Sequence, residues 1–289
     1  MIITENLKKY YGKFRGVEDV SFKIEKNEIY GLIGPNGAGK TTTIRIILGL
    51  LKKDKGLVKI GDHLIPHDIH QAKHKIGYLP GEVNFYGNMG INEFLRFNRR
   101  FYKDINQEYE NELCDYLNIE RNKKFNELSQ GNRKKVGILQ AVVHKPDYLI
   151  LDEPTNGLDP LLQNKLYDLL EKERERGAAI LFSSHNLSEV ERLCQRVGII
   201  KDGKLIKDMN IDDLSKYARK IVTIRGLSKP EFLNDFELKS QNNQTHVFTI
   251  KKSQLKEFVK LLSKVDFEDV QIRNPSLEES FMEFYQEEK

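Results

Sequence analysis

Gly34-Pro35-Asn36-Gly37-Ala38-Gly39-Lys40-Thr41 constrains this chain more than any other segment. Ahead of it, Glu28 to Ile33 reads EIYGLI, a compact apolar run of the kind that forms a buried strand feeding a loop. Behind it, Ile44, Ile47, Leu48 and Leu51 recur at helical spacing. Strand, glycine-rich loop and helix in this order satisfy the phosphate-loop pattern. Glycines let the backbone wrap around phosphate oxygens with its N–H groups inward, and the positive end of the following helix faces the anion. The pattern puts Lys40 within reach of β- and γ-phosphates and Thr41 on Mg²⁺.

A second apolar run, Tyr148 to Leu151, delivers Asp152 and Glu153 at its end, where ligands sit in open α/β sheets. Paired acids ending a strand are often only solvated, but after a phosphate loop they acquire roles. Asp152 is expected to hold Mg²⁺ through its water shell, and Glu153 to face the γ-phosphate as general base. Strand and helix alternate again through Ile180 to Ser183 and Val197 to Ile200, as a mostly parallel sheet flanked by helices requires. Asp202-Gly203 is expected to turn the last strand into a hairpin.

Balanced charge, 47 basic against 43 acidic side chains in 289 residues, argues against a nucleic-acid partner without a clustered basic patch. Cys114 and Cys194 lie far apart and suggest neither a zinc site nor a disulfide framework. No stretch approaches the roughly 20 apolar residues needed to span a bilayer. The expectation is a cytoplasmic chain, so any membrane function needs a separate protein.

Leu128-Ser129-Gln130-Gly131-Asn132 resembles the signature motif of ABC ATPases, with Gln130 in place of a glycine and Asn132 in place of the usual glutamine. Asn156-Gly157-Leu158-Asp159-Pro160 resembles that family's D-loop, and Ser183-Ser184-His185 its switch histidine. The resemblance covers residues 1 to about 215. It implies an α/β P-loop NTPase fold, a mostly parallel sheet with antiparallel N-terminal strands and a helical subdomain. It also implies ATP and Mg²⁺ as ligands. Contacts to the nucleotide are expected from Gly34, Pro35, Asn36, Gly37, Ala38, Gly39, Lys40, Thr41 and Thr42. Tyr11 is expected to stack on adenine, with Tyr10 the alternative, and Val17 to touch the base edge. His185 would contact the γ-phosphate and hold Glu153 in place. Ser129, Gly131 and Asp159 would complete the site of a second cassette, identical or not, in a head-to-tail dimer.

One departure concerns the metal. Where the family has a glutamine after a strand, this sequence reads Ile76-Gly77-Tyr78-Leu79-Pro80-Gly81-Glu82, so Gly81 stands at the glutamine's place and Glu82 is a candidate replacement. The helical subdomain is expected over about 84–145, and Phe85 to Tyr102 is the candidate surface for a membrane permease, with Phe85 and Tyr86 foremost. From residue 216 to 289 the pattern changes to a small α+β domain. Its Pro275-Ser276-Leu277-Glu278-Glu279, followed by Phe281 and Phe284, reads as a capped amphipathic helix. That end resembles the extension of bacterial drug, peptide or lipid exporters in the family. An exporter ATPase peripheral to the inner face of the cell membrane is therefore the leading expectation. A non-transport ABC ATPase acting on ribosomes or nucleic acid is the alternative, disfavoured by a single cassette with no zinc-like or long basic insertion. A P-loop kinase or GTPase fits the signature and histidine motifs poorly.

Overall fold

The computed structural model describes residues 1–102, 105–216, 219–227, 235–242 and 244–274. The chain divides into two compact units, Met1–Met209 and Asn210–Lys289. That boundary falls a little before the expected 215/216, because a helix at Ile211–Lys216 already belongs to the second unit.

In the first unit, β1 (Ile2–Tyr11), β2 (Phe14–Ile24), β3 (Glu28–Ile33), β4 (Lys55–Ile60) and β5 (His63–Leu64) precede β6 (Ile76–Leu79), β7 (Tyr148–Asp152), β8 (Ala179–Ser184), β9 (Arg196–Lys201) and β10 (Lys204–Asn210). They form one sheet in the order β5-β4-β1-β2-β10-β9-β3-β8-β7-β6. The β5-β4-β1-β2 group pairs antiparallel, and β9-β3-β8-β7-β6 pairs parallel. A single parallel pairing, Lys204 opposite Asp19, ties β10 to β2 and joins the groups. Sequence explains the difference. β3 and β8 are buried at every residue, as apolar runs covered on both faces are, whereas β2 buries Val20, Phe22 and Ile24 and exposes Ser21 and Lys23.

Among the described residues, seven α-helices accompany these strands: α1 (Lys40–Ile47), α2 (Ile69–Ala72), α3 (Ile91–Asn98), α4 (Gln107–Tyr116), α5 (Gln130–Val142), α6 (Pro160–Glu175) and α7 (Leu187–Leu193). Helix α1 shares one core with both groups of strands. Its Ile44, Ile46 and Ile47 cluster with Ile2, Val20 and Ile60 from the antiparallel strands and with Ile150 and Leu181 from the parallel ones. This sandwich fixes the helix that follows the phosphate loop.

The helical subdomain buries Ile91, Phe94 and Leu95 of α3, which recur at helical spacing. Phe101 does not continue that face and is 55% exposed, because α3 ends at Asn98 and the chain tightens into a 3₁₀ turn over Arg99–Phe101. Phe85 stacks on Phe125 at 4.1 Å between ring centroids and meets Phe94 edge-on at 4.9 Å.

The second unit comprises α8 (Ile211–Lys216), β11 (Arg219–Arg225), β12 (Glu237–Asn242), β13 (Thr245–Lys251), α9 (Leu255–Leu262) and β14 (Asp269–Arg273). Its antiparallel sheet runs β12-β13-β11-β14. Phe258 and Leu262 of α9 pack with Val222, Ile224, Phe248 and Ile250. Val259, beside Phe258, is 45% exposed, since one step along a helix turns a side chain about 100° from its neighbour. The capped helix expected at Pro275–Glu279, with Phe281 and Phe284, lies outside the described residues. No helix among the described residues is long and apolar enough to cross a membrane.

Candidate active site

The loop after β3 closes on bare backbone. Gly39, the N-cap of α1, adopts φ 110°, a region that L side chains rarely enter. A Cβ on Gly34 would lie 2.3 Å from the carbonyl oxygen of Ile200, and one on Gly39 would lie 2.8 Å from that of Gly16. Gly203, in the turn between β9 and β10, donates its N–H to the Ala38 carbonyl at 2.9 Å. Its own carbonyl accepts from Glu18 N–H at 2.7 Å and Asp19 N–H at 3.1 Å. The loop is thus seated between β2 and the β9–β10 hairpin. Gly34→Ala should cost about 1–3 kcal/mol of stability through the enforced clash. Denaturant unfolding measures this, and a variant as stable as the parent would show that the loop can yield.

Lys40 opens α1 and is 5% exposed. Its Nζ donates to the carbonyls of Gly34 at 2.6 Å and Pro35 at 3.2 Å, and pairs with Glu153 Oε1 at 3.1 Å. Glu153 follows the end of β7 at φ 46°, a left-handed conformation that costs a non-glycine residue ~1–2 kcal/mol. Contacts on every side hold it there. Its N–H donates to Ser183 Oγ at 3.0 Å, and the same hydroxyl donates to Asp152 Oδ1 at 2.8 Å. Glu153 Oε2 lies 2.6 Å from His185 Nδ1 and accepts from Asn156 Nδ2 at 2.6 Å. Burial opposes ionisation of Glu153, but Lys40 and His185 outweigh it and hold the carboxyl below its ordinary range. The hydroxyls of Thr155 and Ser184 both donate to Glu189, at 3.0 and 2.8 Å, tying the turn after Glu153 to the segment bearing His185.

Tyr11 and the loop from Pro35 to Thr42 line an open cleft of about 200 Å³ together with Glu153, Arg15 and Gly16. The Tyr11 hydroxyl lies 3.5 Å from Thr42 Oγ1, and the missing side chain at Gly16 leaves room for the ring. Tyr10 instead donates its hydroxyl to Glu18. Val17 does not line the cleft. It is fully buried in the core and has no surface to offer a base. Arg15, which pairs with Asp202 at 2.9 Å, does line it, and no motif marks that position.

Ser129, Gly131 and Asp159 stand apart from this cleft. Ser129 caps α5, accepting from Asn132 N–H at 3.3 Å, and Asp159 caps α6, accepting from Leu162 N–H at 2.9 Å. Gly131 backs onto the next of these loops, where a Cβ would lie 3.3 Å from the Gly157 carbonyl oxygen. At the position expected to face the metal, it is Gly81 that borders Asp152, a Cβ there lying 4.0 Å from Asp152 Oδ2, while Glu82 is exposed. A threonine hydroxyl and a carboxylate are hard oxygen donors, a set suited to Mg²⁺ with most of its waters retained, so Thr41 and Asp152 fit that ion.

Lys134, on α5, has no place in the motifs, yet it is 3% exposed and reaches the same site. Its Nζ donates to the carbonyls of Glu153 at 2.8 Å, Asn156 at 3.0 Å and Gly81 at 3.3 Å. Burial pushes its pKa down to about 8 against the pull of Glu153, Asp152 and Glu189.

A glycine loop after β3, a histidine after β8 and a carboxylate pair at the end of β7 lie on three adjacent parallel strands, the arrangement of a P-loop ATPase cassette. The ABC transporter family model matches residues 17–156. The linearmycin resistance ATP-binding protein LnrL of Bacillus subtilis is 39% identical over 211 residues, covering 71% of this chain and 68% of that protein. The bacitracin transport ATP-binding protein BcrA of Bacillus licheniformis is 35% identical over 245 residues, covering 84% of this chain and 76% of that one. Among solved structures, an ATP-binding subunit of an ABC transporter aligns with TM-score 0.69 and 30% identity over 74% of this chain and 91% of its own. A dimeric bacterial ABC transporter cassette aligns with TM-score 0.66 and 26% identity over 73% and 99%. The chain belongs to the ATP-binding proteins of ABC transporters, which bind and hydrolyse ATP as paired cassettes and power transport through a partner permease.

Proposed function

We propose that this chain powers the export of a drug-like or peptide-like compound, with Mg²⁺ and ATP held in the cleft beside Glu153. The observation that carries the chemistry is the Glu153 carboxylate shared between Lys40 at 3.1 Å and His185 at 2.6 Å. Tyr11 stacks on adenine, an interaction worth ~1–3 kcal/mol. The N–H groups of the loop from Asn36 to Thr42, with Lys40, hold the phosphates. Thr41 and Asp152 hold Mg²⁺, which neutralises phosphate charge when bound. Glu153 orients water and accepts its proton, and His185 fixes the carboxylate toward the γ-phosphate. Ser129, Gly131 and Asp159 face the nucleotide of a second cassette, where the N-terminus of α5 offers an anion its N–H groups.

Export is supported by the relatives whose names record antibiotic resistance and transport. The permease docks on the helical subdomain, and the chain lies against the cytoplasmic face of the membrane that holds it. Exposure separates the two aromatic residues foremost in the sequence. Phe85 is engaged with Phe94 and Phe125, whereas Tyr86 is 80% exposed, with Phe97 and Phe101 exposed by 44% and 55% on the same subdomain. Tyr86→Ala should leave ATP hydrolysis by the isolated chain unchanged and weaken permease binding by ~10-fold, as loss of an exposed aromatic anchor does. Affinity capture of the tagged chain from gently solubilised cells provides the assay. Retention of a multi-span membrane protein, reduced by Tyr86→Ala, supports the assignment. Ribosomal or nucleic-acid-bound proteins in its place would overturn transport and leave the ATPase chemistry standing.

A further inference from the structure

A buried lysine is an expensive way to fill space. Removing an ammonium from water costs several kcal/mol before any partner is counted. Lys134 is 3% exposed, and no carboxylate oxygen forms an ion pair with it among the described residues. Its three hydrogen bonds all go to backbone carbonyls. An ammonium has three donors, and each finds a different acceptor here: Gly81 after β6, Glu153 after β7, and Asn156 in the turn leading to α6. Glu153 and Asn156 share the turn between β7 and α6, and Gly81 follows β6, so one side chain on α5 links two loops that the chain brings together only by folding.

The Glu153 end of this link matters most. Apart from Lys134, the Glu153 carbonyl accepts, among the described residues, only the longer Asn156 N–H bond at 3.3 Å. The residue already sits in a left-handed conformation at φ 46°. Its N–H is fixed by Ser183 and its carboxylate by Lys40, His185 and Asn156, so the ammonium completes the restraint from the opposite side. The Gly81 end leads directly into the segment that carries Phe85 and Tyr86.

We infer that Lys134 is a positioning residue for ATP hydrolysis: it clamps the loop after β6 to the backbone of Glu153 and Asn156, so that the catalytic carboxylate and the segment leading to Tyr86 keep one geometry. The inference rests on the reading of Glu153 as general base. Lys134 touches no substrate in this account. It acts through Glu153, so its loss should appear in turnover and not in nucleotide affinity.

The test compares Lys134→Met, which keeps length and loses every donor, with Lys134→Gln, which keeps an amide donor, in the full-length chain. The clamp predicts that Lys134→Met lowers kcat by ~10²-fold, the scale of an ångström-level displacement of a catalytic group, with KM and ATP affinity held within about threefold. Lys134→Gln should recover part of that kcat. A parent-like kcat in Lys134→Met overturns the proposal, and so does a proportional loss of kcat and ATP affinity, which would mark general damage to the fold. Should Lys134→Met fail to fold, Lys134→Gln decides alone: lowered kcat with intact affinity supports the clamp, and unchanged kcat overturns it. Glu153→Gln measured in parallel separates the two readings. Parent-rate turnover there removes the base, whereas strong loss there with unchanged Lys134→Met turnover removes only the clamp.

Discussion

Glu153→Gln should hydrolyse ATP ~10²–10⁴-fold more slowly than the parent while binding it as well, the range expected when a general base loses its proton-accepting oxygen. Glutamine keeps the size of the side chain and one acceptor oxygen. Contacts from Asn156 and His185 can therefore persist, and the change falls on proton transfer. Charge is lost from the Lys40 pair, which frees that ammonium for phosphate. Because closure over ATP needs binding and reopening needs hydrolysis, the variant should accumulate as a nucleotide-bound dimer. Steady-state phosphate release gives the rate, and size-exclusion chromatography with light scattering gives the dimer. Hydrolysis at the parent rate would place the base elsewhere.

Lys40→Ala should weaken ATP binding by ~10–100-fold, the loss of about 1.5–3 kcal/mol carried by hydrogen bonds between charged groups. Titration with a fluorescent nucleotide measures it, and binding at parent strength would refute the assignment of the phosphate loop. The same substitution has a second effect. Glu153 titrates below the ordinary carboxylate range because Lys40 and His185 overcome its burial. A carboxyl shifted downward on folding contributes stability above its unfolded pKa and loses it as pH falls through the folded pKa. Without Lys40, the largest opposition to burial is gone, the folded pKa rises, and this acid-sensitive contribution shrinks. Unfolding midpoints of parent and variant should therefore converge as pH is lowered.

The site's frame was legible because its signals are local. A strand, a loop and a helix within one stretch of sequence place Lys40 without reference to the rest of the chain, and the run from Tyr148 to Glu153 does the same for the carboxylates. Signals that depend on tertiary contact were not legible. Lys134 is one cation in Arg133-Lys134-Lys135, and only the packing of α5 beneath two loops distinguishes it from its neighbours. Val17 and Tyr11 both precede the phosphate loop on strands, but alternation sends one into the core and leaves the other at the cleft. In the second unit, β12 reads ELKSQN and is exposed at every residue, so no apolar alternation announces it; pairing with β13 creates it.

The β9–β10 turn has a consequence for how this chain can vary. Asp202-Gly203 looks like an ordinary surface hairpin, the sort of place where sequences drift freely. Yet Gly203 bonds to Ala38, and a Cβ on Gly39 would meet both Gly16 and Gly203, at 2.8 Å from the carbonyl oxygen of one and 3.5 Å from the Cα of the other. Gly16, Gly39 and Gly203 thus meet at one point, and a Cβ on Gly203 would itself lie 3.2 Å from the Gly16 carbonyl oxygen, so a side chain added at the hairpin would press on the strand that seats the phosphate loop.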